Sequence, residues 1–261
     1  MKIHGTSERT SGQVLPQFNL DQEGPMFGLW SIFREPAVVE LSAAEGFDWV
    51  CIDGQHGHAE LGDYKAIFEV AHNFGVPAGV RVPSHEVGHI GRAMDAGARL
   101  IIVPTVENGE QAKTLVQACR YAPRGKRSYG PTRTIPRYPG DVVGAVETDP
   151  KVALMVESAK GYENLDEILA AGPDAVFVGP YDLAISHGWS LEELTTGDKQ
   201  HVLRDIAARP HRRWRGPRPV CRRSIPGQGH GGHRLQVHAH RHRWRAADYR
   251  GPIPAERTVG K

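Results

Sequence analysis

Long hydrophobic runs are missing from this chain of 261 residues. No apolar stretch approaches the ~20 residues that a membrane-spanning helix needs, which excludes a transmembrane helix. The opening segment, MKIHGTSERTSGQVLPQ, also lacks the apolar core of a signal peptide. Cysteine is scarce: Cys51, Cys119 and Cys221 are odd in number and far apart, so neither a disulfide framework nor a zinc ribbon is implied. A cytoplasmic protein with no membrane partner is expected, and the length suits one sizeable core, as in single α/β barrels.

Net charge is nearly absent too, but only in the sum, where 32 Lys and Arg face 30 Asp and Glu for a total of +2. Residues 1–200 carry 17 basic and 27 acidic side chains, whereas residues 201–261 carry 15 basic, 3 acidic and seven of the 14 His. An acidic body is thus joined to a basic tail. Three readings of the tail compete: an electrostatic footprint for nucleic acid, a disordered tail without a partner, or coding sequence read in a shifted frame. Moving each codon by one base lets residues 230–244, HGGHRLQVHAHRHRW, read as MVAIGFKFMHIGTDG, and residues 219–229 as RCVAEASRAKA. A helix followed by an apolar strand is what the end of a barrel requires, so the frame-shift reading is preferred. The slip is expected between Ala208 and Arg213, and no nucleic-acid partner is expected.

Between Met26 and Gly188, short apolar runs alternate with amphipathic segments. The runs are MFGLWSI (26–32), DWVCI (48–52), PAGVRV (77–82), RLIIVP (99–104), VALMVE (152–157) and DAVFVG (174–179). Each is short and rich in Val, Ile or Phe, as strands buried on both faces are. Helix-like stretches lie at 36–46, 61–74, 86–96, 108–120 and 161–171, with stop chemistry at Ala96-Gly97 and Ala171-Gly172-Pro173. The alternation predicts βα units on a parallel sheet, two strands short of a (β/α)8 TIM barrel. The expected plan is an N-terminal extension (1–25), barrel strands one to six with their helices (26–208), and an aberrant, disordered basic tail (209–261). In that plan Arg/His-rich sequence replaces the last two strands and the final helix. An excursion with five Pro, residues 122–150, separates the fourth and fifth strands, and long loops of this kind often carry function.

Polar residues gather just past the carboxyl ends of the runs. Strand two leads into Asp53-Gly54-Gln55-His56-Gly57-His58, strand three runs through Arg81, strand five ends on Glu157, and strand six leads through Gly179-Pro180-Tyr181 to Asp182. In parallel barrels these ends converge on one face, where active sites are built. Two carboxylates with water suit Mg2+ or Mn2+, hard ions that take oxygen ligands. Taken singly, each residue has a plainer reading. Glu157 or Asp182 could cap a helix, His56 could sit in a surface turn, Arg81 could pair on the rim, and Cys51 reads as core. No Lys ends any of the six runs, which argues against Schiff-base chemistry.

Five segments in order carry a resemblance: GLWSIFREPAVVELSAAEGFDWVCIDGQHGHAEL, GVRVPSHEVGHIGRAMDAGARLIIVPTVENGEQA, RYAPRGKRSYGP, VESAKGYENLDEIL and AVFVGPYDLAISHG. Over about residues 26–205 the chain resembles the HpcH/HpaI aldolase family. The resemblance implies a (β/α)8 barrel and a class II, metal-dependent carbon–carbon lyase. Such an enzyme cleaves a 4-hydroxy-2-oxo acid to pyruvate, or an analogue, plus an aldehyde through a metal-bound enolate. It implies Glu157 and Asp182 as ligands of Mg2+, Mn2+ or Co2+, His56 as the catalytic histidine, and Arg81 beside the substrate keto oxygen. Asp53 would stand close to the histidine, and the Gly179, Pro180 and Tyr181 backbone would hold the substrate carboxylate together with Asp182. Asp95 would reach the site from a neighbouring subunit of a trimer or hexamer. Gln55 stands where Glu is frequent, which removes a charge near His56. Citrate-lyase-like acyl-CoA lyases are the alternative on the same fold, and a nucleic-acid-binding protein using the basic tail is the alternative of a different class. The Asp-Gly-Gln-His-Gly form of the strand-two motif favours the aldolases.

Overall fold

In the computed structural model the described residues are 15–18, 20, 24–130, 133, 150–213, 219–221 and 233–239, with 24–25, 210–213 and the last two segments described as backbone. All six apolar runs form strands: β1 (Gly24–Ser31), β2 (Trp49–Asp53), β3 (Ala78–Arg81), β4 (Leu100–Val103), β5 (Lys151–Val156) and β6 (Ala175–Val178). Every residue of β2, β3, β4 and β6 is buried, so these strands are covered on both faces. The period of two sorts their side chains. Trp30, Cys51, Leu100, Ile102, Ala153, Met155, Ala175 and Phe177 form an inner cluster, and Cys51 is core as read. Their alternates Leu29, Val50, Ile52, Val80, Ile101, Leu154 and Val176 pack outward with the helices.

The first four helices fall where the pattern placed them: α1 (Pro36–Ala44), α2 (Tyr64–Asn73), α3 (Val87–Asp95) and α4 (Gly109–Ala118). The fifth predicted helix is two, α5 (Ala159–Glu163) and α6 (Leu165–Ala170). They break at Asn164, whose amide side chain donates to the Glu107 carbonyl at 2.8 Å. Three more helices follow β6: α7 (Pro180–His187), α8 (Leu191–Thr195) and α9 (Gln200–Arg213). A capping box between Ser190 and Glu193 starts α8.

β1 to β6 are parallel to their neighbours in sequential order, for example Asp53 opposite Arg81 and Val156 opposite Val178. They make the six-stranded parallel part of a TIM-type barrel. The basic segment adds two strands at the ends of this sheet. β7 (Pro219–Cys221) lies parallel to β6, and β8 (His233–Ala239) pairs antiparallel with β1. A regular (β/α)8 barrel would have its eighth strand parallel to the first, so the regular barrel is not completed. Helix α9 crosses position 208 without a break. The rest of 209–261 lies outside the described residues, as do most of the excursion and most of the N-terminal extension. From that extension, Leu15 and Phe18 are buried. The Phe18 ring meets Trp49 edge-on at 5.7 Å, and the Pro16 carbonyl accepts from Arg99 Nε at 3.1 Å. These contacts cover the end of the barrel where the strands start.

Gly28 on β1 shows how tightly the interior is filled, because a Cβ there would lie 2.1 Å from Trp49 Cε2. Overpacking a filled core costs about 1–3 kcal/mol. Gly28→Ala is therefore expected to lower the free energy of unfolding by that amount, read as a lower urea midpoint with an unchanged slope in an equilibrium titration followed by far-ultraviolet circular dichroism.

Candidate active site

The end of β2 is organised by one carboxylate. Asp53 Oδ1 accepts from Arg81 Nε at 2.9 Å and from the backbone N–H groups of Gln55 and His56 at 3.1 Å each. Its Oδ2 accepts from Arg81 Nη2 and from the indole N–H of Trp30, the latter at 3.0 Å. The Trp30 ring also lies under the guanidinium, with Arg81 Cζ 5.0 Å from the ring centroid. Asp53 and Arg81 are both nearly inaccessible, with 3% and 5% of their side-chain surface exposed. Burial alone would raise the Asp53 pKa. The bonds and charge of Arg81 prevail, helped by the His56 amide and the Trp30 indole, and hold it below the usual carboxylate range.

This pair bends the chain into the turn that carries His56. Gly57 N–H donates to the Asp53 carbonyl at 3.0 Å, and a Cβ on Gly57 would lie 2.3 Å from that oxygen. Only glycine fits so close an approach. The His56 side chain is exposed at the rim. Arg81 uses Nε and Nη2 on Asp53, and its Nη1 makes no hydrogen bond among the described residues.

The second half of the site lies at the ends of β5 and β6, which are hydrogen-bonded neighbours. Glu157 follows β5 and is 4% exposed. Its Oε1 accepts from Thr105 N–H at 2.6 Å. A Cβ on Gly179 would stand 2.4 Å from Glu157 Oε2, so the missing side chain at the end of β6 is what leaves room for the carboxylate. Gly179 is the N-cap of α7, Pro180 is its first residue and Asp182 lies in its first turn. Tyr181 and Asp182 are exposed. Acidic residues are favourable in a first helical turn.

These residues fit a divalent ion. Among the described residues no group of three or more His, Cys, Asp and Glu could hold a metal, so a bound ion would rely on the Glu157 and Asp182 carboxylates, with water and substrate filling its other positions. That donor set suits a hard ion such as Mg2+. The space kept by Gly179 beside Glu157 Oε2 lets the carboxylate sit there.

Asp95 is not brought to these residues within one protomer. It ends α3, at the opposite end of the barrel from the strand-end turns, where its Oδ1 accepts from Arg127 Nη2 at 2.8 Å. Burial pushes its carboxyl pKa up, against the lowering effect of Arg127. Two residues at the site escaped sequence reasoning. Trp30 had a legible signal, because a buried indole N–H needs an acceptor. Thr105 had none, because its backbone conformation cannot be read from residue type.

Parallel strands ending in these turns define a barrel whose candidate functional groups sit at the carboxyl ends of β2, β3, β5 and β6. The sequence model described as HpcH/HpaI aldolase/citrate lyase matches residues 26–207, and the chain belongs to that family. It is 38% identical over 172 residues to a 4-hydroxy-2-oxovalerate aldolase of Novosphingobium aromaticivorans, covering 64% of this chain and 65% of that protein. It is 35% identical over 188 residues to a hydroxypyruvate/pyruvate aldolase of Roseovarius nubinhibens, covering 70% of this chain and 73% of that one. Among solved structures, an HpcH/HpaI aldolase/citrate lyase family protein from Burkholderia cenocepacia J2315 superposes with a TM-score of 0.69 at 28% identity, covering 78% of this chain and 82% of that one. The aligned stretch covers 61% of a hydroxypyruvate/pyruvate aldolase of Deinococcus radiodurans and 75% of one of Roseobacter denitrificans.

Because the Asp53 pKa is depressed in the folded state, its stabilisation is present above the unfolded carboxylate value and is lost as pH falls through the folded value. Urea stability of the wild type should therefore decline below about pH 4. Asp53→Asn should cost about 3–5 kcal/mol at neutral pH, because it leaves a buried guanidinium without its counter-charge. It should also flatten the acid limb between pH 4 and pH 2, read from parallel urea titrations.

Proposed function

We propose that the protein is a metal-dependent aldolase that cleaves a 4-hydroxy-2-oxo acid into pyruvate, or a close analogue, and an aldehyde. The observation that carries this reading is the Glu157 carboxylate, held by Thr105 N–H beside the space left by Gly179, on the same barrel face as the buried Asp53–Arg81 pair. A divalent ion held by Glu157 and Asp182, Mg2+, Mn2+ or Co2+, would act as a Lewis acid toward the keto acid. Arg81 presents its fixed positive charge where the keto oxygen gains negative charge. Asp53 keeps that guanidinium in one orientation. His56 takes the proton of the 4-hydroxyl group as the C3–C4 bond breaks, so the alcohol carbon becomes the aldehyde carbonyl. The electron pair of the broken bond passes to the 2-oxo acid fragment, which takes up a proton at C3 to become pyruvate. The backbone of Gly179, Pro180 and Tyr181 binds the substrate carboxylate.

The working unit in this reading is a cytoplasmic homo-oligomer in which Asp95 of one protomer approaches the site of the next. Support comes from its place at the far end of its own barrel. The proposal extends to the C-terminal segment, read as frame-shifted from between Ala208 and Arg213. The reversed β8 supports this, since it runs against the sense of a (β/α)8 barrel.

Pyruvate release followed by coupled NADH oxidation tests the reading, on this chain and on one with the frame restored. Turnover should need added Mn2+ or Mg2+, stop with EDTA and return with excess metal. Glu157→Ala is expected to lower kcat roughly 10²–10³-fold, and His56→Ala by about 10²–10⁴-fold. Turnover indifferent to EDTA would remove the metal mechanism. A clean reading frame on resequencing the gene would remove the frame-shift proposal.

A further inference from the structure

One tryptophan touches both members of the buried ion pair. Trp30 lies on β1, one residue before its end, and is 3% exposed. The register of β1 on β2 sets it opposite Cys51, and Asp53 follows two residues on, on the same inner face. Its indole N–H donates to Asp53 Oδ2 at 3.0 Å, and its ring centroid lies 5.0 Å from Arg81 Cζ, within the range of a cation–π contact. Phe177 on β6 backs the ring, centroid to centroid 5.4 Å. Filling the interior does not by itself call for the N–H. Trp49, the other tryptophan of the inner cluster, fills its place with an indole N–H that makes no hydrogen bond among the described residues. Of Phe and Trp, the two rings that suit a dry interior, only Trp brings a donor.

We infer that Trp30 is a positioning residue for Arg81: its N–H fixes the carboxylate that the guanidinium grips, its ring backs the guanidinium, and together they hold the direction of the cation. The inference rests on the proposed role of Arg81 beside the substrate keto oxygen. Arg81 spends Nε and Nη2 on Asp53, so its direction is only as fixed as that carboxylate. The amides of Gln55 and His56 hold Oδ1. Without the indole, Oδ2 would keep Arg81 alone among the described residues. The carboxylate could then turn about its last bond and carry the guanidinium with it. A cation aimed before the reaction stabilises the charge that develops on the keto oxygen without reorganising. Loss of aim therefore falls on the chemical step more than on binding, and shows in kcat rather than in KM.

Two substitutions separate the donor from the ring. Trp30→Phe keeps a ring and removes the N–H, and Trp30→Leu removes both. In the pyruvate-release assay, on whichever of the two chains turns over, Trp30→Phe should lower kcat about 10–100-fold and leave KM within about 3-fold. Trp30→Leu should lower kcat further. The second readout needs neither metal nor substrate. In 1H–15N spectra the Arg81 Nε–H should exchange slowly with water in the wild type and on the order of 10-fold faster in folded Trp30→Phe. A side chain that only fills space would lower the melting temperature and leave both readouts of the folded protein where they were. An unchanged kcat, or unchanged exchange at Arg81, in folded Trp30→Phe therefore overturns the inference. If Trp30→Phe does not fold, Arg81→Lys gives the reciprocal test. The Trp30 indole N–H signal should move and the Trp49 signal should hold its place; a Trp30 signal that does not move overturns the inference. No pyruvate from the wild type of either chain removes the aldolase reading and the inference with it. An active wild type with an unaffected Trp30→Phe removes the inference alone.

Discussion

A guanidinium cannot be kept inside a barrel of Val, Ile and Phe unless its charge is matched by a hydrogen-bonded partner. Arg81 meets that condition through a two-oxygen contact with Asp53, with the Trp30 ring across its face. Much of the site depends on this arrangement. The register of β2 on β3 sets Asp53 opposite Arg81, and the same carboxylate collects the amides that start the turn to His56. A charge pair that is expensive to desolvate is therefore retained where it fixes three things at once: a strand pairing, a turn and the direction of a cation.

The other half of the site is held differently. Glu157 accepts from a backbone amide and lies against the close approach of Gly179. The contrast is chemically sensible for the proposed reaction. Asp53 must stay committed to Arg81 throughout, whereas Glu157 must have an oxygen to give to an ion. Asp182, exposed in the first turn of α7, completes that half from the neighbouring strand end.

Much of this was legible in the sequence, and unevenly so for physical reasons. Apolar runs such as RLIIVP and DAVFVG, short and rich in Val, Ile or Phe, read as strands covered on both sides, and β4 and β6 lie within them. The strand-end residues Asp53, His56, Arg81, Glu157 and Asp182 stood out because polar groups after buried runs need a reason to be there. What stayed hidden depends on backbone dihedrals and on distant pairings. The break at Asn164 splits a segment whose periodicity reads as continuous. The left-handed turn at Thr105 carries no mark in residue type. The reversed β8 lies in a segment whose Arg and His content obscured any period.

The pairing of β8 with β1 also sets an order of events during synthesis. β1 ends at Ser31 and β8 begins at His233, so the first strand leaves the ribosome about 200 residues before its outer partner exists. At roughly 5–20 residues per second, that edge of the sheet waits on the order of 10–40 s with its backbone N–H and C=O groups open to any extended chain nearby. For that interval one eight-residue edge is open to pairing with other chains, well before any question of catalysis arises.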